Sequence, residues 1–319
     1  MTTGAKSKPH ALPLAVVVAC LLIAGGLVYY AVQELSASIE GPGTAQAAPR
    51  AGSLHAAAAA GDTESLRRAL ADPLAAALVS QPLDASEPAR AGMTPLMCAA
   101  MGGHAEALAL LLDAGARPNE STPDGRTALY FAAGWGDAAA VRRLLDAGAR
   151  VDARTTDNWT ALMIAAGRGE PAALAELLAA GANVDARNKW GQTALMLAVI
   201  AGEEDKAAAL VRAGASVSAA DAEGLTAAAI AAAGPSPPSL LAALIAGGAD
   251  IDAPDADGVT PLMKAADRGD LEKIVLLLDA GADPAAIDKA GRTALDWALA
   301  RDDDLGRQAA AALSEALGR

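Results

Sequence analysis

Residues 124–153 read DGRTALYFAAGWGDAAAVRRLLDAGARVDA, and residues 257–286 read DGVTPLMKAADRGDLEKIVLLLDAGADPAA. Both stretches carry a Thr followed by Ala or Pro and then Leu, and that signature recurs at Thr94, Thr127, Thr160, Thr193, Thr226, Thr260 and Thr293, at intervals of 33, 33, 33, 33, 34 and 33. A Gly-Ala pair keeps the same step at Gly115, Gly148, Gly181, Gly214, Gly248 and Gly281. Self-similarity at this period marks a stacked array, in which each unit buries its apolar face against its neighbours.

Each recurring residue has a physical task. Thr before a helix caps exposed N–H groups, and Pro95 and Pro261 at the next position lose nothing by lacking an N–H. Paired alanines such as Ala132-Ala133 and Ala165-Ala166 permit close approach of first helices, while Leu144-Leu145, Leu177-Leu178 and Leu277-Leu278 supply the bulk of the core from second helices. Gly148 and its equivalents end the second helix in a left-handed conformation, and Asp124-Gly125 and Asp257-Gly258 turn a projecting hairpin.

This pattern resembles the ankyrin-repeat family. The resemblance covers residues 53–319, including an N-terminal unit without the Thr, from Leu54-His55-Ala56 through Gly61-Asp62 to Leu70. It implies an all-α solenoid of about eight repeats, each a β-hairpin loop followed by two antiparallel helices. Two departures stand out. Leu54 and Leu96 are 42 apart, so nine extra residues fall within Ala71–Arg90, with a short helix from Leu74 to Val79 as one reading. Gly234-Pro235-Ser236-Pro237-Pro238 replaces an ordinary interhelical turn, and Ala228 stands where a core Leu is expected. A soft joint is predicted over residues 226–253.

The chain has 319 residues, 53% hydrophobic but only 3% aromatic, which suits thin layers of closely approaching helices. The net charge is −13, and residues 1–50 contribute +1 to it, leaving an acidic body. Such a body repels nucleic acid, whose binding draws on Lys and Arg, and suits a cationic protein patch. Cys20 and Cys98 are the only cysteines, so the folded part has no disulfide framework.

Residues 11–32, ALPLAVVVACLLIAGGLVYYAV, carry no charge and as a helix would span roughly 33 Å, enough to cross a bilayer. Lys6 and Lys8 precede the run and Glu34 and Glu40 follow it, so residues 1–10 are expected in the cytoplasm and the repeats outside, facing the periplasm of a bacterial inner membrane. Cleavage after Ala45-Gln46-Ala47 and lipidation at Cys20, within Val17-Val18-Ala19-Cys20, are rival readings of this signal anchor. Residues 33–52 read as a flexible linker to the repeat domain.

The resemblance implies that hairpin tips and the exposed ends of first helices bind a partner. Those positions hold Pro123, Asp124 and Arg126; Thr156, Asp157 and Trp159; Lys189, Trp190 and Gln192; and Met101, Trp135, Arg168, Ile200 and Arg268. Trp135, Trp159 and Trp190 fall in consecutive units beside Arg126, Arg168 and Lys189, the make-up of a binding hot spot for a locally acidic and apolar partner. Packing of Trp159 and Trp190 on adjacent hairpins is the competing reading; Trp297 maps to the core.

No catalytic constellation is legible. His10, His55 and His104 are the only histidines, and P-loop, nucleophile-elbow and H-E-x-x-H motifs are missing. Asp152, Asp185, Asp221, Asp252 and Asp255 recur at turns, as structural residues do, and Asp302-Asp303-Asp304 reads as a helix cap. The sequence therefore describes a membrane-tethered protein-interaction scaffold with no cofactor, metal or small-molecule substrate; an inhibitor, immunity factor or stabilising partner of a periplasmic enzyme is a narrower version.

Overall fold

The threonines at the repeat spacing each start a helix. Thr127 Oγ1 accepts the Tyr130 N–H at 3.3 Å and Thr160 Oγ1 accepts that of Met163 at 3.3 Å, and Thr94, Thr193, Thr226, Thr260 and Thr293 cap in the same way. Each hydroxyl satisfies one of the N–H groups a helix start leaves open.

The computed structural model describes residues 54–72, 78–83 and 92–318. Its helices come in antiparallel pairs: α1 (Leu54–Ala60) and α2 (Thr63–Leu70), α3 (Pro95–Met101) and α4 (Ala105–Asp113), α5 (Ala128–Trp135) and α6 (Ala138–Asp146), α7 (Ala161–Gly167) and α8 (Pro171–Ala179). The series continues with α9 (Ala194–Ile200) and α10 (Glu204–Arg212), α11 (Ala227–Ala233) and α12 (Pro238–Ala246), α13 (Pro261–Arg268) and α14 (Leu271–Asp279), and α15 (Ala294–Leu299) and α16 (Asp304–Leu317). Odd helices stack on odd helices and even on even, giving a two-layer solenoid. Among the described residues there is no β-strand, only the isolated bridges Ser121–Thr127 and Ala220–Thr226.

The layers differ as their sequences require. Ala132-Ala133, Ala165-Ala166 and Ala265-Ala266 are fully buried, so the inner, odd-numbered helices approach closely. The outer layer buries Leu144, Leu177 and Leu277, each worth about 1.5–3 kcal/mol. At Gly169 a Cβ atom would lie 2.0 Å from the Ala133 carbonyl oxygen, so no other residue fits beside α5.

Two ladders tie successive units. At the hairpin tips, the N–H groups of Thr156, Lys189, Ala222 and Ala256 donate to the carbonyls of Asp124, Asp157, Trp190 and Glu223, each at 2.9 Å. In the loops after the outer helices, Asn119 Oδ1 accepts from Arg150 N at 2.8 Å, Asp152 Oδ1 from Asn183 N at 2.9 Å, Asp185 Oδ1 from Ser216 N at 2.8 Å and Asp252 Oδ1 from Asp283 N at 3.0 Å. Asp152, Asp185 and Asp252 are thus inter-unit fasteners. Ser218 occupies that place between Asp185 and Asp252.

The extra residues of the first unit lie in part outside the described residues. Leu83 N donates to Met93 O at 2.8 Å and Gly92 N to Leu83 O at 2.9 Å. The expected helix at Leu74 to Val79 is described only at its end, where residues 78–80 form a turn. Among the described residues no helix is long and apolar enough to cross a membrane. The span expected at 11–32, the tail at 1–10 and the linker at 33–52 lie outside the described residues.

Candidate protein-binding surface

Six hairpin tips among the described residues close in the same way. The side chain that opens the turn accepts the N–H four residues on: Thr122 Oγ1 from Arg126 at 3.0 Å, Thr155 Oγ1 from Trp159 at 3.0 Å, Asn188 Oδ1 from Gln192 at 2.9 Å, and Asp221, Asp255 and Asp288 from Leu225, Val259 and Arg292 at 2.9 Å each. This closure turns the last tip residue beneath the hairpin. Trp159 is accordingly only 8% exposed and Gln192 4%, although both were expected on the surface. The Trp159 indole N–H is buried with no hydrogen-bond partner, a deficit of about 1–3 kcal/mol.

The third tip position does face outward, and it carries Trp190. That ring stands edge-on to Trp159, centroids 6.4 Å apart, so Trp159 acts as the floor on which Trp190 rests. Lys189 Nζ lies 4.5 Å from the Trp190 centroid and also pairs with Asp157 across the tip ladder. Trp135, half-buried at the end of α5, packs 6.2 Å from Tyr130 and 6.1 Å from Phe131, and the Arg168 guanidinium covers its ring at 4.2 Å. Burial holds Arg168 below the usual arginine range, with Tyr130 acting in the opposite sense; the residue stays a cation. Arg126 is 5.5 Å from Phe131 and 2.7 Å from Asp124. Met101 is half-buried at the end of α3. The structure therefore assembles Arg168 with Trp135, Lys189 with Trp190, and Arg126 with Phe131.

Further along the stack the same face turns acidic. Lys264 Nζ pairs with Asp255 Oδ2 at 2.6 Å, which shows that the inner helix faces the tip. Burial pushes Asp221, Glu223 and Asp267 above the usual carboxylate range, and the charge of Asp221 adds to the effect at Glu223. At the next unit Trp297, expected in the core, is half-buried instead: Arg292 covers its ring at 3.9 Å and its indole N–H donates to Asp288 Oδ2 at 3.2 Å.

Two lysines escaped the sequence reading. Lys206 and Lys273 are 1% exposed, and each reaches back to a carbonyl just beyond the inner helix of the preceding unit: Lys206 Nζ to Gly169 O at 2.9 Å and Lys273 Nζ to Gly234 O at 2.7 Å. Glu203, 3.5 Å from Lys206, and Asp270, 3.3 Å from Lys273, supply partial counter-charge, while burial lowers both ammonium pKa values. Their signal was present: Ala107, Ala140, Ala173 and Leu240 hold the equivalent place, so a lysine there breaks a pattern of buried apolar residues. Cys98 is buried, and among the described residues no group of three or more His, Cys, Asp or Glu is placed to hold a metal ion.

Residues 54–155, 150–221 and 227–313 each match the family model for ankyrin repeats, in three copies. The chain belongs to the ankyrin-repeat family. Among solved structures, 510 chains match this ankyrin-repeat protein. One is the crystal structure of the ankyrin repeat domain of Bcl-3, a member of the IkappaB protein family, 28% identical with a TM-score of 0.61, the alignment covering 70% of this chain and 99% of that one. No curated protein matches. Ankyrin repeats imply a role in protein–protein interaction.

Proposed function

We propose that this ankyrin-repeat protein is a membrane-tethered interaction scaffold, held by residues 11–32 in a bacterial inner membrane with its eight helix pairs, one per repeat, in the periplasm. Residues 33–52 act as the tether and residues 53–319 as the binding domain. The observation that carries the binding reading is that neighbouring units carry two cation–aromatic stacks, Arg168 on Trp135 at the ends of inner helices and Lys189 on Trp190 at a hairpin tip. Arg126 and Met101 extend that surface toward the N-terminal end. Partly exposed Trp beside Arg is where alanine scans of interfaces find the largest losses. The reading assigns the face no catalytic step, cofactor or small-molecule substrate.

The test is a crosslinking pull-down from intact membranes, comparing the wild type with a Trp135→Ala/Trp190→Ala variant of unchanged helicity. Trp159 is left in place because its truncation would disturb the tip. A specific protein recovered only by the wild type supports the reading; equal recovery by both moves the site elsewhere, and recovery by neither removes it. The tether is tested by fractionation: deletion of residues 11–32 should move the protein from the membrane to the soluble fraction.

A further inference from the structure

We propose that the inner face takes one linear segment of a partner protein with divided charge. On this reading a carboxylate beside an apolar side chain seats on the Trp135–Trp190 region, and Lys or Arg residues lie against the Glu223 and Asp257 tips. The inference rests on the scaffold reading and names the partner's chemistry.

Three observations carry it. First, charge is unevenly distributed along the stack. Residues 117–192 hold nine cationic and nine anionic side chains, whereas residues 193–319 hold ten cationic and twenty anionic ones, a net charge of −10. Secondly, the change of character occurs along one structural register. Trp190, Glu223 and Asp257 occupy the same tip position in successive units, and the backbone bonds Ala222 N to Trp190 O and Ala256 N to Glu223 O, both 2.9 Å, set them side by side. A chain following this line passes from an aromatic seat to two carboxylates. Thirdly, the cation at the aromatic end is a guanidinium over an indole, 4.2 Å from its centroid. Arginine is weakly hydrated and binds carboxylates bidentately, so it suits an acidic anchor that is partly desolvated by a neighbouring apolar group.

The acidic end is left under-compensated by the fold itself. Burial and the neighbouring charge of Asp221 raise the Glu223 carboxyl, while Lys264 acts in the opposite sense. A cation supplied from outside relieves that repulsion. Like charges placed there instead would be rejected, which fixes the order of charge in the segment.

The required length follows from helix packing. Neighbouring helices lie about 8–10 Å apart, so the two or three units from Arg168 to Glu223 and Asp257 span roughly 20–30 Å. An extended chain rising about 3.3 Å per residue covers this in about six to nine residues.

The experiment measures fluorescence anisotropy of labelled peptides of about twelve residues against the full chain in detergent micelles. The probes are a peptide with Glu-Leu-Glu at one end and Lys-Lys at the other, joined by Gly/Ser, and a peptide of identical composition with the charges alternated. The divided peptide should bind about tenfold tighter than the alternated one and weaken as salt rises. Arg168→Ala should weaken the divided peptide and a Glu-Leu-Glu peptide alike. Glu223→Gln/Asp257→Asn should weaken the divided peptide and leave the Glu-Leu-Glu peptide unchanged. Equal binding of the two full-length probes, no binding of either, or indifference to Glu223→Gln/Asp257→Asn would overturn the proposal. If the crosslinking test still recovers a Trp-dependent partner, the divided-charge inference alone has failed; if it recovers none, the scaffold reading has failed with it.

Discussion

Asn158 differs from its equivalents in the other tips. Gly125, Gly191, Gly224, Gly258 and Gly291 hold the same turn position with φ of 76–87°, and Asn158 adopts φ 63° there. Asn tolerates the left-handed region better than other side chains, while Ala would add about 1–2 kcal/mol of strain. Asn158→Gly should therefore be neutral or slightly stabilising and Asn158→Ala destabilising by about 1 kcal/mol in urea denaturation. The buried lysines give a second test at this scale. Lys273→Ala leaves the Gly234 carbonyl without its charged donor and opens space along the lost stem, for a loss of about 2–3 kcal/mol. Lys273→Met keeps most of the stem and should lose about half as much; no loss in Lys273→Met would show that the ammonium contributes nothing, and equal losses that the stem contributes nothing.

At the scale of the element, α11 is expected to be the weakest member. Its sequence, AAAIAAA, places Ala228 where Leu96, Leu129, Leu162, Leu195 and Leu262 fill the core elsewhere, and a Leu-to-Ala difference in a packed site is worth about 2–5 kcal/mol. Ser218 stands in the place of the loop carboxylate on the preceding unit. Compensation comes from outside the element: Lys273 holds Gly234, and Ser236 Oγ donates to Ala231 O at 3.1 Å. Since stack stability is a sum of neighbouring interfaces, amides of residues 226–253 should exchange faster with solvent than those of α5 to α10. Slow, uniform exchange across the repeats would rule out the soft joint. This departure was legible because proline and alanine disturb local structure directly, whereas the lysine that braces it comes from the next unit.

Over the whole molecule, two sets of carboxylates respond to pH in opposite directions. Asp221, Glu223 and Asp267 are raised by burial, so the folded chain holds protons that the unfolded chain has lost, and their contribution to stability falls as pH rises through the folded values. Asp62, Asp296 and Asp303 are lowered from 3.8, by hydrogen bonds with Ser65, with Thr293, and with Arg301 and Gly306 respectively; their contribution is present above 3.8 and is lost as pH falls through the lower folded values. Acidification from about pH 7 to about pH 5 should therefore leave the urea midpoint unchanged or higher, with loss setting in only below about pH 4. Asp221→Asn should flatten the upper part of the profile. A steady decline from neutrality would contradict the shifts of the acidic end.

The period, the threonine caps, the paired alanines and the tip turns were all determined by sequence alone, because each acts within one unit or through an identical contact with the next. Register likewise put Trp190 and Lys189 at a hairpin tip and Trp135 and Arg168 at the ends of inner helices, for the same reason. What the register did not contain was side-chain direction. Closure of the Thr155 turn sends Trp159 beneath its tip, and only the neighbouring unit provides the Trp190 ring that covers it. Tertiary structure likewise paired Arg168 with a tryptophan 33 positions away and directed Lys206 and Lys273 to carbonyls 37 and 39 positions back. A repeat sets where each backbone position lies, but partners across the interface between units decide whether a side chain there meets solvent or core.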